Sequence, residues 1–203
     1  MQIGEVIAGS LSHVDVQVQV KPKMEWPVAF GSFVKVKAEG YDIIGIITDI
    51  YYEPLEGKRP RPRWLEEKAV LDRIYPDIHE KFLSIAQVIV LGYAKDGQLN
   101  QDLPPTPPPV HSAVTIMTDS EILKFHEINL ERTHVKLDYI YRIVEELKPG
   151  RCIDLLKAIV DKLETFKLPR SIVVSEITGI YLALGEEKAV PMVSSRLSQG
   201  SES

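Results

Sequence analysis

The sequence predicts an α+β protein with a small closed β-barrel in its N-terminal part and an α-helical region in its C-terminal part. Between Ile3 and Ile50, several short runs alternate apolar and polar residues at period two, and glycines separate them, as is typical of small barrels. From Asp119 onward the apolar period becomes helical. With 203 residues, of which 44% are hydrophobic, the chain is long enough for one good core or for a small domain with an appendage.

The first strands are predicted from runs of alternating or continuous apolar residues. The strict alternation from Val14 to Val20 places its valines on one face of a strand. A nearly continuous apolar run favours a strand covered on both faces, and Gly45 within that run predicts a bulge or a tight bend of the barrel. The runs are Ile3–Ile7, Val14–Val20, Phe33–Lys37 and Ile43–Ile50.

The barrel pattern resumes at Ile85–Tyr93 and is predicted to end with a strand near Val110–Met117. The Asp-Gly pair within Lys95–Gln98 predicts a hairpin, because both residues tolerate positive φ. The proline-rich run Leu103–Pro109 predicts a stiff extended segment. We interpret it as a rigid brace along the barrel, and the alternative is a ligand for a proline-binding domain.

Residues 53–81 are predicted to be an insertion between barrel strands, with a helix at Trp64–Ile74. The insertion holds the densest positive charge of the chain, next to aromatic residues. Such a loop could hold phosphates and stack on bases, or bind a protein partner. The alternative is a loop that charge keeps soluble, or one that pairs with acidic neighbours in an oligomer. The candidate contact residues are Lys58, Arg59, Arg61, Arg63 and Trp64.

The C-terminal part is predicted to form about three helices over residues 118–188, after a barrel domain at residues 1–117. Apolar stripes at helical spacing define helices over Leu137–Lys148, near Ile153–Leu163 and near Val173–Leu184, with Gly185 as the C-cap of the last. Asp119 and the residues after it suggest an N-cap with an acidic first turn. Residues 189–203 are largely polar and predict a flexible tail.

The motifs of several common chemistries are missing from these residues. No Gly-x-x-x-x-Gly-Lys-Ser/Thr motif occurs, so a P-loop ATPase site is not predicted, and Gly-x-Ser-x-Gly is also absent. His126 and His134 could share a helical face, but surface or capping roles are favoured over a metal site. The single cysteine, Cys152, is interpreted as a small core residue rather than a reactive thiol. No catalytic residue, cofactor or metal is predicted.

The net charge of −5 argues against nucleic-acid binding driven by the overall charge of the protein, but it does not exclude binding by a local basic patch. No signal peptide pattern opens the chain, and no apolar run reaches the ~18 residues of a membrane span. These patterns predict a cytoplasmic protein that does not enter membranes.

The barrel segments resemble the HAS-barrel, the N-terminal β-barrel of HerA-type DNA-translocating ATPases and of the rotary ATP synthase α and β subunits. The resemblance covers roughly the first 117 residues. It is carried by short glycine-centred segments in a fixed order: Ile3–Ile7, Phe30–Val36, Ile44–Ile50, Val90–Tyr93 and Pro107–Val114.

In that family the barrel precedes a RecA-like ATPase domain and helps to pack subunits into a ring. Here about 80 residues of helical pattern follow the barrel, so the catalytic residues of the family have no counterpart in this sequence. The resemblance implies a non-catalytic assembly or adaptor module that forms a homo-oligomer, such as a trimer or hexamer, or docks a HerA-like ATPase supplied by another chain. A nucleic-acid-binding accessory protein and an enzyme of unrecognised chemistry are the alternatives.

Overall fold

The computed structural model describes residues 1–19, 26–55, 82–128, 131 and 133–199. In these residues a set of β-strands is followed by a set of α-helices, which confirms the predicted α+β class. The strands are β1 (Gln2–Gly9), β2 (His13–Val18), β3 (Phe33–Ala38), β4 (Tyr41–Pro54), β5 (Phe82–Lys95), β6 (Gln98–Asn100) and β7 (Ala113–Ile116). The helices are α1 (Asp119–Phe125), α2 (Ile140–Glu146), α3 (Pro149–Glu164), α4 (Arg170–Ala183) and α5 (Val190–Ser198).

Six of the strands close into an antiparallel barrel, as predicted. The strand order is β2-β1-β7-β3-β4-β5-β6, and β2 also pairs with β5, which joins the two ends of the six-stranded set. Among the described strands, β6 pairs with β5 alone, and the two form a short hairpin. Every pairing between these strands is antiparallel.

The barrel interior is filled by valine and isoleucine side chains from all six strands. The predicted alternation holds in β2, where Val14, Val16 and Val18 are buried and Gln17 is exposed. Each strand buries one face in this way. The removal of apolar surface from water stabilises the fold by about 25 cal/mol per Å² of buried area. The alternation of apolar residues therefore fixes the register of the strand, because a shift by one residue would turn the valines outward.

Strand β4 is covered on both faces, as its continuous apolar run predicted. Ile43 and Ile47 belong to the barrel interior, whereas Ile44 and Ile46 belong to a second core that the barrel shares with the helices. The predicted irregularity at Gly45 is confirmed, because the pairing of β4 with β5 shifts register between Ile44 and Gly45.

The predicted Asp-Gly hairpin connects β5 to β6. Asp96 and Gly97 both adopt positive φ, at 51° and 79°, as a two-residue hairpin turn requires. The hairpin extends the sheet beyond the barrel, and its partly buried Leu99 packs against the core shared with the helices.

The helices pack against the outer side of their own barrel. The shared core contains Phe33 of β3, Ile44 of β4 and Leu91 of β5 together with apolar residues of all five helices. The helical region therefore covers one side of its own barrel.

The helical region differs from the prediction in the number and the bounds of its helices. The described part of residues 118–188 holds four helices, α1 to α4, where about three were predicted. Helix α2 begins at Ile140 rather than at Leu137, and a turn closed by the Ile140 N–H on the Leu137 carbonyl (2.9 Å) precedes it. Pro149 opens α3 at its first position, where a proline leaves no backbone donor unpaired.

The prediction of a flexible tail at 189–203 was wrong for most of its length. Residues Val190–Ser198 form α5, and its Val193 and Leu197 are buried in the shared core. Arg170, at the start of α4, donates hydrogen bonds to the backbone carbonyls of Leu197 (2.6 Å) and Gln199 (3.0 Å). The third predicted helix is α4. Its C-cap is Leu184, and Gly185, which was predicted as the C-cap, is the next residue, with φ at 76°.

The helix predicted at Trp64–Ile74 lies outside the described residues, as does most of the predicted insertion. None of the helices in the described ranges is both long enough and apolar enough to cross a membrane.

Candidate functional site

The five predicted contact residues lie outside the part of the chain that the structure describes. They are Lys58, Arg59, Arg61, Arg63 and Trp64. The end of β4, which leads toward them, carries aromatic side chains. The rings of Trp26 and Tyr52 are in contact, with centroids 5.1 Å apart, and Tyr52 is partly exposed.

The surface around Tyr51, at the same end of β4, is acidic. Burial raises the pKa of the Tyr51 hydroxyl, and the negative charges of Asp15, Glu53 and Asp49 raise it further, although a hydrogen bond with Gln87 acts in the opposite direction. Neighbouring strands place Asp15 and Asp49 on either side of Gln87. Three carboxylates, those of Asp15, Asp49 and Glu53, therefore lie near this end of β4.

The barrel has one side that faces the helices and one that does not. No residue of β1, β2 or β7 contributes to the shared core within the described ranges. The outward residues of these strands are exposed or half-buried, and they mix polar with apolar character. They are Gln2, Glu5, Ile7, Asp15, Gln17, Ala113 and Thr115, and we call them the uncovered face.

An ion pair fixes the first helix to the barrel. Lys35 of β3 lies 2.5 Å from the carboxylate of Glu121 in α1. The same carboxylate accepts a hydrogen bond from the Thr118 backbone N–H (2.8 Å), and the Thr118 hydroxyl accepts one from the Glu121 N–H (3.3 Å). This is a capping box, so the N-cap is Thr118 rather than a residue from Asp119 onward. The Thr-x-x-Glu spacing in the sequence is typical of a capping box and would have predicted Thr118 as the N-cap.

Polar groups buried between barrel and helices fix their relative position. The Gln101 amide donates to the carbonyls of Phe125 (2.9 Å) and Lys136 (3.0 Å). Arg142 of α2 donates to the carbonyl of Gln101 (2.6 Å) and also to that of Leu91. Nε of Arg142 and Oε1 of Gln101 are buried, and neither has a hydrogen-bond partner among the described residues. The sequence held no signal for this cluster, because its acceptors are backbone carbonyls.

His126 is a buried residue at the C-cap of α1, so of the two predicted roles, surface and capping, the structure supports capping. Its ring is fully buried and hydrogen-bonded to the Ile122 carbonyl and the Tyr139 hydroxyl, both at 2.8 Å. Since Nδ1 must donate to the carbonyl, Nε2 accepts from Tyr139. Burial lowers the pKa of His126 to about 4. His134 is exposed, and in the described ranges no three His, Cys, Asp or Glu side chains could together hold a metal ion.

Cys152 is buried in α3, which confirms its interpretation as a core residue. Its sulfur lies 3.5 Å from the hydroxyl of Tyr181 in α4. Burial raises the pKa of the thiol, so little of the reactive thiolate is present at neutral pH.

The proline-rich segment lies against the barrel, as the brace interpretation predicts. The Tyr41 hydroxyl donates a hydrogen bond to the carbonyl of Thr106 (2.8 Å), and Pro104 and Pro108 are buried. Pro108 lies next to Gly9, at the end of β1. The segment therefore connects the start of β4 to the far end of β1.

Comparison with known proteins gives one finding for the barrel. Residues 3–96 match the family model described as the HAS barrel domain. No curated protein matches the chain.

Proposed function

Residues 3–96 form a HAS barrel domain, and we propose that the protein built on it is a non-catalytic assembly module. It self-associates through the uncovered face, or it uses that face to dock a ring-forming HerA-like ATPase supplied by another chain. In the HerA-type ATPases a barrel of this family helps to pack subunits into a ring. A cytoplasmic location is part of the proposal.

The observation that carries the proposal is the one-sided covering of the barrel. The helices bury apolar side chains of β3, β4 and β5, whereas β1, β2 and β7 contribute nothing to that core in the described ranges. On these strands Gln17 is exposed and Ile7 is half-buried. A face of mixed polar and apolar character is typical of protein interfaces, whose overall polarity is close to that of the remaining surface.

Light scattering after size exclusion, at several protein concentrations and two salt strengths, tests self-association. We expect a mass of three or six chains. Gln17→Arg places a long charged side chain at an exposed position of the uncovered face, on β2, and should yield monomers. Ser175→Arg, on an exposed position of α4, is the matched control and should leave the mass unchanged.

The docking form of the proposal is tested by mixing the protein with a purified HerA-type ATPase and following co-elution. Loss of co-elution with Gln17→Arg, but not with Ser175→Arg, supports docking through the uncovered face. A protein that stays monomeric at all concentrations and does not co-elute with the ATPase contradicts both forms.

A second candidate function is binding of single-stranded nucleic acid. The contact between Trp26 and Tyr52 favours it, because it places aromatic rings at the end of β4, which leads toward the basic residues 58–63. The triple variant Arg59→Ala, Arg61→Ala and Arg63→Ala should lose a salt-sensitive retention of single-stranded DNA. Equal retention by the variant and the unchanged protein would exclude this function.

A further inference from the structure

A cavity of about 230 Å³ lies where the barrel meets the helices. The loop before β3, the end of β7, helix α1 and helix α3 surround it. The loop approaches α3 closely because Gly31 has no side chain: a Cβ at this position would lie 2.7 Å from the Cβ of Ala158. Gly31 also has φ at 80°, a conformation that favours glycine.

The inner wall of the cavity is apolar. Phe33, Met117 and Ile122 line it and are themselves buried, and Ile116 completes this wall. Phe30 lines the cavity from the loop and is 36% exposed, so it forms part of the rim. Water in contact with such a wall finds few hydrogen-bond partners, and an apolar group would displace it favourably.

Lys162 is the one cationic side chain among the described residues that line the cavity, and no acidic side chain is among them. The Lys162 ammonium lies 2.9 Å from the carboxylate of Asp119 and 5.1 Å from the ring centroid of Phe166. The Asp119 side chain is 71% exposed, so water screens this ion pair. A second carboxylate can therefore compete for the ammonium at little cost.

We propose that this cavity binds a small monocarboxylate with an apolar body. The apolar part lies against Phe33, Met117 and Ile122, and the carboxylate accepts a hydrogen bond from Lys162. A cavity of about 150 Å³ holds benzene, so the larger volume here suits a molecule of about ten non-hydrogen atoms. The site lies between barrel and helices rather than on the uncovered face, and the proposal does not depend on self-association.

Three probes of equal chain length separate the charge from the apolar contact: octanoate, octanol and octylammonium, each below the concentration at which it forms micelles. Methyl signals of ¹³C-labelled methionine in the full chain report binding. Met117 lines the cavity, whereas Met192 of α5 does not and serves as the internal control. Octanoate should shift the Met117 signal saturably and leave Met192 unchanged. It should bind at least about threefold more tightly than octanol, as expected for a partly exposed ion pair, and octylammonium should bind most weakly.

Two substitutions should change octanoate binding in opposite directions. Lys162→Met keeps much of the apolar stem and removes the charge, so octanoate and octanol should then bind equally. Asp119→Asn removes the competing carboxylate and should tighten octanoate binding while leaving octanol unchanged.

The proposal is overturned if the Met117 signal does not saturate, if Met117 and Met192 shift in parallel, or if the three probes bind alike. It is also overturned if Asp119→Asn leaves octanoate binding unchanged. Octanoate binding by Asp119→Asn tests the proposal even if Lys162→Met fails to fold, because Asp119 is exposed and its conservative replacement keeps the fold.

Discussion

Lys35 Nζ lies 2.5 Å from Glu121 Oε1, and this ion pair connects barrel strand β3 to helix α1. The hydrogen bond from Lys35, followed by that from the Thr118 backbone, lowers the pKa of Glu121 to about 2, although partial burial acts in the opposite direction. One carboxylate thus caps a helix and holds that helix on the barrel.

Replacing Glu121 by Gln should reduce the free energy of unfolding by about 1 kcal/mol, a value discounted because the side chain is about one-third exposed. The pKa of Glu121 is lower in the folded than in the unfolded protein, so the unfolded state binds more protons. The contribution is therefore complete above pH 4.5 and is lost as the pH falls toward 2. Urea unfolding across this range measures it. Glu127→Gln removes an ion pair with Lys136 that is more exposed and should have a smaller effect.

His126 should make stability depend on pH in a higher range. Its pKa is about 4 in the folded protein and near 6.5 when unfolded, so the unfolded state takes up the proton first as the pH falls. Stability should be complete above pH 6.5 and should decrease by about 3 kcal/mol in total by pH 4. In His126→Gln, the slope between pH 6.5 and 4.5 should disappear. A slope that persists in the variant would assign the effect to another group.

Gly45→Ala should destabilise the protein by about 2 kcal/mol, since overpacking of a core costs this order of free energy. A Cβ at Gly45 would collide with the side chain of Val88 and lie 2.9 Å from the Ile89 carbonyl oxygen. Gly179→Ala is the matched control, because Gly179 is exposed in α4 and a Cβ there would meet none of the described residues within 4 Å. The control should be stabilised by up to ~1 kcal/mol, because alanine favours the helix. Thermal unfolding of both variants tests the contrast, and a stable Gly45→Ala protein would contradict it.

Leu197→Ala should reduce the free energy of unfolding by about 2 kcal/mol or more, because Leu197 is fully buried in the shared core. A flexible tail would show no such loss. Ser195→Ala, at an exposed position of the same helix, controls for changes in helix propensity. Chemical denaturation measures both, and equal stabilities would contradict the packing of α5.

Arg142→Met should cost about 2 kcal/mol, since it leaves the carbonyls of Leu91 and Gln101 without the guanidinium that hydrogen-bonds them. Amide hydrogen exchange should accelerate in the β5–β6 hairpin. Arg196→Met, on an exposed part of α5, removes the same charge without touching the hairpin. Unchanged exchange in Arg142→Met would show that other contacts hold the hairpin.

Much of the barrel was predictable because its strands and turns are encoded by residues that are close together in the sequence. Alternating valines identify β2, and the Asp96-Gly97 pair specifies its hairpin through the φ angles that these residues tolerate. The sequence did not predict helix α5 because its polar residues outnumber its buried ones. Its C-terminal end is also held by a hydrogen bond from Arg170, which is distant in sequence. Contacts of this kind leave no periodic pattern.

The candidate site was less predictable than the fold. The buried cluster of Gln101 and Arg142 forms only when strands and helices meet, and its acceptors are main-chain atoms that carry no sequence information. The cavity beside Lys162 likewise depends on the close approach of Gly31 to Ala158. For the basic residues at 58–63, the function stays a prediction.

The pairing of β1 with β7 also affects how the protein folds during synthesis. Glu5 pairs with Ala113, so the two strands lie on the order of 100 residues apart in sequence, and contacts of such separation slow folding. During synthesis β1 therefore lacks one of its two neighbours until most of the barrel sequence has emerged. Until then the unpaired edge of β1 is exposed to other nascent chains. A chaperone that covers this edge would therefore reduce aggregation most during this interval.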